Sequence, residues 1–167
     1  MQAKIDTLST KLGQLLVARR DWLATAVSCT GGLLAGAVTA IAGSSSWFDQ
    51  GWVTYSNEAK HMQLGVTHAC LKEFGAVSEQ TAREMAAGVL AMAPRATLAL
   101  TTTGIAGPGG GTADKPVGLV WFGFAQRTAE GLVIQAHSQI FTGDRRAVRE
   151  ASVMFSLSSA CELLENT

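Results

Sequence analysis

The sequence predicts an α/β fold in which a mixed β-sheet carries helices on both faces. Three observations point there. Apolar residues at helical spacing alternate with short apolar runs in the order α-β-α-β-α-α-β-β-β-α. Ala96–Thr103 is an almost unbroken apolar and β-branched run, which suits a strand covered on both sides. Two further strand-like runs flank the turn-forming RTAEG and read as an antiparallel hairpin, so the sheet is mixed.

The elements follow in chain order. Ile5, Leu8, Leu12, Leu15 and Leu16 recur at helical spacing and predict a helix over about residues 3–19. Trp22–Val27 follows the charged Arg19-Arg20-Asp21 and reads as a buried strand. Thr30–Ala42 reads as a helix with Leu33, Leu34, Val38 and Ile41 inward, ended by Gly43 and three serines. Gly51–Ser56 reads as the second strand, and Asn57 as the N-cap of the helix opening EAKHMQL. Ser78 caps a helix to about Met92, which Pro94 stops. After the Ala96–Thr103 strand comes the glycine-rich loop Gly104–Pro116. The strands Val117–Gln126 and Leu132–Phe141 follow, then a last helix capped by Asp144.

Composition bounds the function. The 167 residues carry 13 Lys+Arg against 13 Asp+Glu, which favours neither nucleic acid nor an acidic membrane surface as partner. Apolar content of 47% with 16% charged residues fits one globular domain over residues 1–167. The three cysteines, Cys29, Cys70 and Cys161, have neither disulfide-framework nor zinc spacing. No secretory pattern or membrane-length apolar run is present, so the expected compartment is the cytoplasm. His61, His68 and His137 lack ligand spacing, and no metal site is expected.

In open α/β sheets ligands sit beyond the carboxyl ends of the parallel strands. That rule selects Ser28–Gly32, Ser56–Lys60 and Thr103–Lys115. In SCTGG, Ser28 ends a strand where a helix starts, a position suited to a nucleophile. The amides of Thr30, Gly31 and Gly32 are then available to hold an oxyanion or phosphate. The competing reading makes Ser28 or Thr30 an N-cap only, and Cys29 is a second possible nucleophile. In TYSNEAK, Lys60 falls in a first helical turn. The macrodipole there disfavours its charge and lowers its pKa, as a lysine base requires. Ser with neutral Lys is a known nucleophile–base pairing. Tyr55, the only tyrosine, lies just upstream as a donor or stacking group. Thr103 ends a strand beside the loop GIAGPGGG, whose backbone suits an anion cradle or a lid. Neither a Walker A nor a dinucleotide-fold pattern is present. Arg145 follows the Asp144 cap and suits a phosphate or carboxylate. Plain surface, loop and helix-start readings compete with each of these, and Ser44 and Ser45 are less favoured nucleophiles because they follow a helix.

Taken together, SCTGG, IAGSSSWFDQGWVTYSNEAK, GAVSE, GIAGPGGG, KPVGLVWFGFA and GDRRAVR resemble the CinA C-terminal domain family of nicotinamide mononucleotide deamidases, over almost the whole chain. The resemblance implies a three-layer α/β/α sandwich, in its stand-alone form and as a homodimer. It implies hydrolysis of the nicotinamide mononucleotide amide to nicotinic acid mononucleotide and ammonia, without cofactor or metal, by a Ser/Lys pair. Ser28 and Lys60 match that pair. Tyr55, Thr103 and Arg145 match other pocket positions, with Gly107, Gly110 and Arg145 expected at the substrate phosphate. Three positions depart from the family pattern. Val27 stands where the family has glutamate, Thr103 where it has serine, and Gly109 where it has aspartate. The loss of two carboxylates leaves a second expectation open: a catalytically weak paralogue that binds a nucleotide-like ligand.

Overall fold

Alternation along the first strand separates two layers. Leu23 and Val27 point to one face and Ala24 and Ala26 to the other. The structure, a computed structural model, describes residues 1–167. Its elements are α1 (Gln2–Arg19), β1 (Leu23–Val27), α2 (Leu33–Thr39), β2 (Phe48–Val53), α3 (Asn57–Leu64), α4 (His68–Phe74) and α5 (Glu79–Met92). They continue with β3 (Leu98–Gly104), β4 (Leu119–Thr128), β5 (Gly131–Ile140) and α6 (Arg145–Glu165). The sheet order is β2-β1-β3-β4-β5. β1 runs parallel to both β2 and β3, whereas β4 and β5 are antiparallel additions. Helices lie on both faces, as a three-layer arrangement requires.

The two layers are built differently. Under α1, α2 and α6 the sheet presents Leu23, Leu98, Leu100, Phe122 and Phe124, which meet Leu12, Leu16, Leu34, Val38 and Leu157. The opposite face is alanine-rich, with Ala24, Ala26, Ala99 and Ala125 beneath α5. Small side chains let that helix approach closely. A Cβ at Gly123 of β4 would lie 2.3 Å from the Ala82 carbonyl oxygen, so glycine is required where α5 crosses. Gly88 of α5 in turn admits the end of α3, since a Cβ there would lie 2.0 Å from Leu64 O. Through these two glycines the small-residue layer fixes α3, the helix that carries Lys60.

Several sequence expectations shift. The helix expected from Thr30 begins only at Leu33, because Ser28–Gly32 closes as a turn first. β2 starts at Phe48 rather than Gly51, since Phe48 pairs with Leu23 despite its polar neighbours Asp49 and Gln50. Ser56, not Asn57, caps α3: its hydroxyl accepts the Ala59 N–H at 3.0 Å, which moves Lys60 one position beyond the third helical residue. A further short helix, α4, follows the left-handed Gly65 and is capped by Thr67; with seven residues it is too short for periodicity to reveal. The hairpin is tighter than expected, with Ala129 and Glu130 alone between β4 and β5.

Candidate active site

Ser28 is held at the carboxyl end of β1 by the strands on either side. Its N–H donates to Thr102 O of β3 at 2.9 Å, and the preceding Val27 O accepts from Thr54 N beyond β2 at 2.8 Å. The chain then reverses: Gly31 N–H donates to Ser28 O at 3.0 Å, with Gly31 at φ 58°, a left-handed conformation that glycine adopts freely. The Ser28–Cys29 peptide is trans, so its N–H points opposite to the engaged Ser28 carbonyl. The Cys29 N–H donates to no backbone carbonyl, and neither does that of Thr30. The sequence expectation therefore changes here. Gly31's amide is consumed by the turn, while the amide of Cys29, a residue lining the crevice, is free to meet an oxyanion.

Lys60 is fully buried, at 1% exposure, and no carboxylate pairs with it. Its Nζ lies 3.0 Å from Ser28 Oγ, 2.9 Å from Thr54 O and 3.2 Å from Tyr55 O. Burial pulls its pKa down to about 8. In the neutral amine, the carbonyls of Thr54 and Tyr55 take the two N–H bonds. The remaining lone pair is then directed at the Ser28 hydroxyl. Two backbone carbonyls thus orient the Lys60 amine toward the Ser28 hydroxyl, and no side-chain motif in the sequence announces them. The neighbouring Cys29 is 6% exposed, and burial pushes its thiol up to about 11, against the attraction of Lys60, Arg149 and Arg145. At neutral pH it is a protonated thiol, a poor nucleophile.

The crevice has a volume of about 310 Å³, near the lower end for small-molecule sites. Ser28, Tyr55, Lys60, Thr103, Gly107, Gly110 and Arg145 all line it, brought from four separate segments. Arg145 spans its rim, donating to Gly107 O at 2.8 Å and to Tyr55 Oη at 3.0 Å. Tyr55 is 60% exposed, so its ring forms an outer wall. Thr103 donates its hydroxyl to Ala76 O at 2.8 Å, which ties β3 to the segment before α5 and engages the proton expected to face the substrate. Thr30, Gly31 and Gly32 do not line the crevice. The Thr30 hydroxyl is buried against that of Thr102 at 2.9 Å, and Gly32 opens onto a separate cleft between α1, α2 and α6. Val27 is also absent from the lining: it is buried in the apolar layer under the helices. A side chain at Gly109 would meet nothing within 4 Å.

A family described as the CinA C-terminal domain matches residues 5–164. The nicotinamide-nucleotide amidohydrolase PncC of Enterobacter agglomerans is 52% identical over 166 residues, covering 99% of both chains. Its counterpart in Escherichia coli K12 is 48% identical over 166 residues, covering 99% of this chain and 98% of that protein. A crystal structure of a competence-damaged protein (CinA) superfamily member from Klebsiella pneumoniae superposes with a TM-score of 0.91 at 39% identity, over 98% of this chain and 99% of the other.

Proposed function

This chain belongs to the CinA C-terminal domain family, and from that premise we propose that it is an amidohydrolase that converts nicotinamide mononucleotide to nicotinic acid mononucleotide and ammonia by a Ser/Lys mechanism. The observation that carries the mechanism is the 3.0 Å contact between Lys60 Nζ and Ser28 Oγ, with the lysine buried among neutral partners. Neutral Lys60 takes the Ser28 proton as Oγ attacks the carboxamide carbon. The Cys29 N–H meets the oxygen that becomes negative. Lys60 then returns the proton to the departing amine, the C–N bond breaks, and ammonia leaves an acyl-serine. Water, deprotonated by Lys60, attacks that ester; the serine recovers its proton and nicotinic acid mononucleotide is released.

The charge distribution supports an anionic nucleotide. Lys60, Arg145 and Arg149 all act on Cys29, and neither Arg145 nor Arg149 is in an ion pair with a carboxylate. Arg145 with the backbone of Gly107–Gly110 is the proposed phosphate end, and Tyr55 the wall against which the ring or ribose lies. Purified protein is expected to release one ammonia per nicotinic acid mononucleotide formed. The absence of both products would remove the reading.

The weak-paralogue reading rests on Val27 and Gly109. Val27 sits behind the turn rather than in the crevice, and Ser28, Lys60, Tyr55 and Arg145 converge with valine in place. This favours the enzyme. Binding of nicotinamide mononucleotide without turnover would favour the paralogue.

We read residues 1–167 as one catalytic unit, working in the cytoplasm as a homodimer. The three cysteines are free, as a reducing compartment requires. No helix is long and apolar enough to cross a membrane. For a second copy the molecule offers the edge strand β5, ten residues without a charge or proline, with Leu132, Val133 and Ile140 exposed. A monomeric mass by light scattering at micromolar concentration would exclude the dimer.

A further inference from the structure

Arg149 is the one long cation of α6 that points behind the nucleophile turn rather than into solvent or the crevice rim. It is half-buried, and its guanidinium is committed to two carbonyls of that turn. Nε donates to Cys29 O at 3.1 Å and Nη2 to Thr30 O at 3.3 Å. No carboxylate pairs with it: the neighbouring Glu150 is taken by Arg146 at 2.9 Å. It also packs on Gly31, where a Cβ would stand 3.3 Å from Nη2, so the glycine both permits the left-handed turn and admits the arginine.

The chemistry of that contact reaches the site through peptide geometry. In a trans peptide C=O and N–H are antiparallel. Holding Cys29 O toward α6 therefore aims the Thr30 N–H the opposite way, and holding Thr30 O fixes the plane of Gly31, whose N–H closes the turn on Ser28 O. That last bond sets the direction of the Cys29 N–H. The fork of one guanidinium thus fixes two consecutive peptide planes, Cys29–Thr30 and Thr30–Gly31. It also places an unneutralised positive charge behind amides whose own N–H groups lack backbone acceptors.

We propose that Arg149 is a positioning residue for the oxyanion-holding amide of Cys29, acting on the reaction through the Ser28–Gly31 turn without touching substrate. This rests on the amidohydrolase reading above. Amides held in place before the reaction need no reorganisation as charge develops, so the effect falls on kcat rather than on substrate binding. The fork matters as well as the charge, because one ammonium cannot span two carbonyls in a fixed plane.

The test compares Arg149→Met, Arg149→Lys and Arg149→Ala with the unaltered protein, using nicotinamide mononucleotide and a melting temperature for each. Arg149→Met is expected to lose about 100-fold in kcat, with KM within about threefold. Arg149→Lys should recover about a tenth of the unaltered kcat. Guanidinium ion at non-denaturing concentration should partly restore Arg149→Ala, which loss of folded protein would not allow. Unchanged kcat in Arg149→Met, or an effect on KM alone, overturns the proposal. Should the alanine and methionine variants fail to fold, unaltered kcat in Arg149→Lys overturns it in their place. If the unaltered protein releases no ammonia, the functional reading fails by itself. The positioning claim is then read from amide hydrogen exchange, where faster exchange at residues 29–31 in Arg149→Lys upholds it and unchanged exchange overturns it.

Discussion

With Ser28 as the proposed nucleophile, Ser28→Ala is expected to lower ammonia release from nicotinamide mononucleotide by about 10^4-fold or more, leaving only the residual rate that binding and the backbone amides supply, while the substrate still binds. The substitution removes one hydroxyl at 8% exposure and leaves the backbone bonds that fix the position, Ser28 N–H to Thr102 O and Gly31 N–H to the residue-28 carbonyl. Lys60 keeps its bonds to Thr54 O and Tyr55 O, so the crevice stays formed. Stability should change by less than about 1 kcal/mol, since the lost hydroxyl contacts are those to Lys60 and, at 3.3 Å, to Tyr55 O. Cys29→Ala supplies the contrast. Its thiol is held protonated by burial, and only its backbone N–H has a part in the mechanism, so kcat should remain within about threefold. Initial-rate assays on the two variants decide between the neighbours. A Cys29→Ala enzyme that is dead beside a Ser28→Ala enzyme that works would transfer the nucleophile to the thiol.

What the sequence disclosed and what it hid divide along a physical line. The layers, the mixed sheet and the helix caps at Ser78 and Asp144 follow from local periodicity and side-chain chemistry, and the structure has them. The rule for open α/β sheets points to Ser28, Lys60 and Thr103 at strand ends, Tyr55 lies just upstream of one of these segments, Arg145 follows the Asp144 helix cap, and all five line one crevice. The failures at the site are matters of backbone direction. SCTGG reads as a helix start, yet five residues are spent on a turn before α2 begins, and this removes Thr30, Gly31 and Gly32 from the crevice. The carbonyls of Thr54 and Tyr55 that orient Lys60 have no signature, because every residue type carries a carbonyl. Val27 is instructive in the other direction. As a letter in a motif it is a missing carboxylate, but as a side chain it belongs to the apolar layer under the helices. Nothing in the sequence distinguishes Arg149 from the other arginines of its segment. Only the tertiary packing of α6 across the end of β1 turns it toward the carbonyls of Cys29 and Thr30.

Lys60→Met should reduce kcat/KM by about 10^3-fold or more, since in the proposed mechanism it removes the group that takes and returns every proton in the cycle. Methionine has similar length and no lone pair of comparable basicity, so loss of packing is small. The pH profile gives the sharper signature. Lys60 must be neutral to accept the Ser28 proton, and its pKa is brought down to about 8 by burial. For the unaltered enzyme kcat/KM should therefore rise with pH through about 8 and then level. The residual activity of Lys60→Met should lack that limb. Stability titrates in the same direction. A lysine whose folded pKa lies below its usual value of 10.5 binds fewer protons folded than unfolded between about 8 and that value. Folding stability from this group then increases as pH rises through the window. Below it both states are charged, and the full cost of burying the ammonium is present. The Thr54 carbonyl left without its partner in Lys60→Met carries a penalty that does not titrate. The difference in melting temperature between the two proteins should therefore move in favour of the unaltered enzyme from pH 7 to pH 9.5. A flat difference, together with a pH-independent rate, would mean that Lys60 is not titrating in this range, and the base would have to be sought elsewhere.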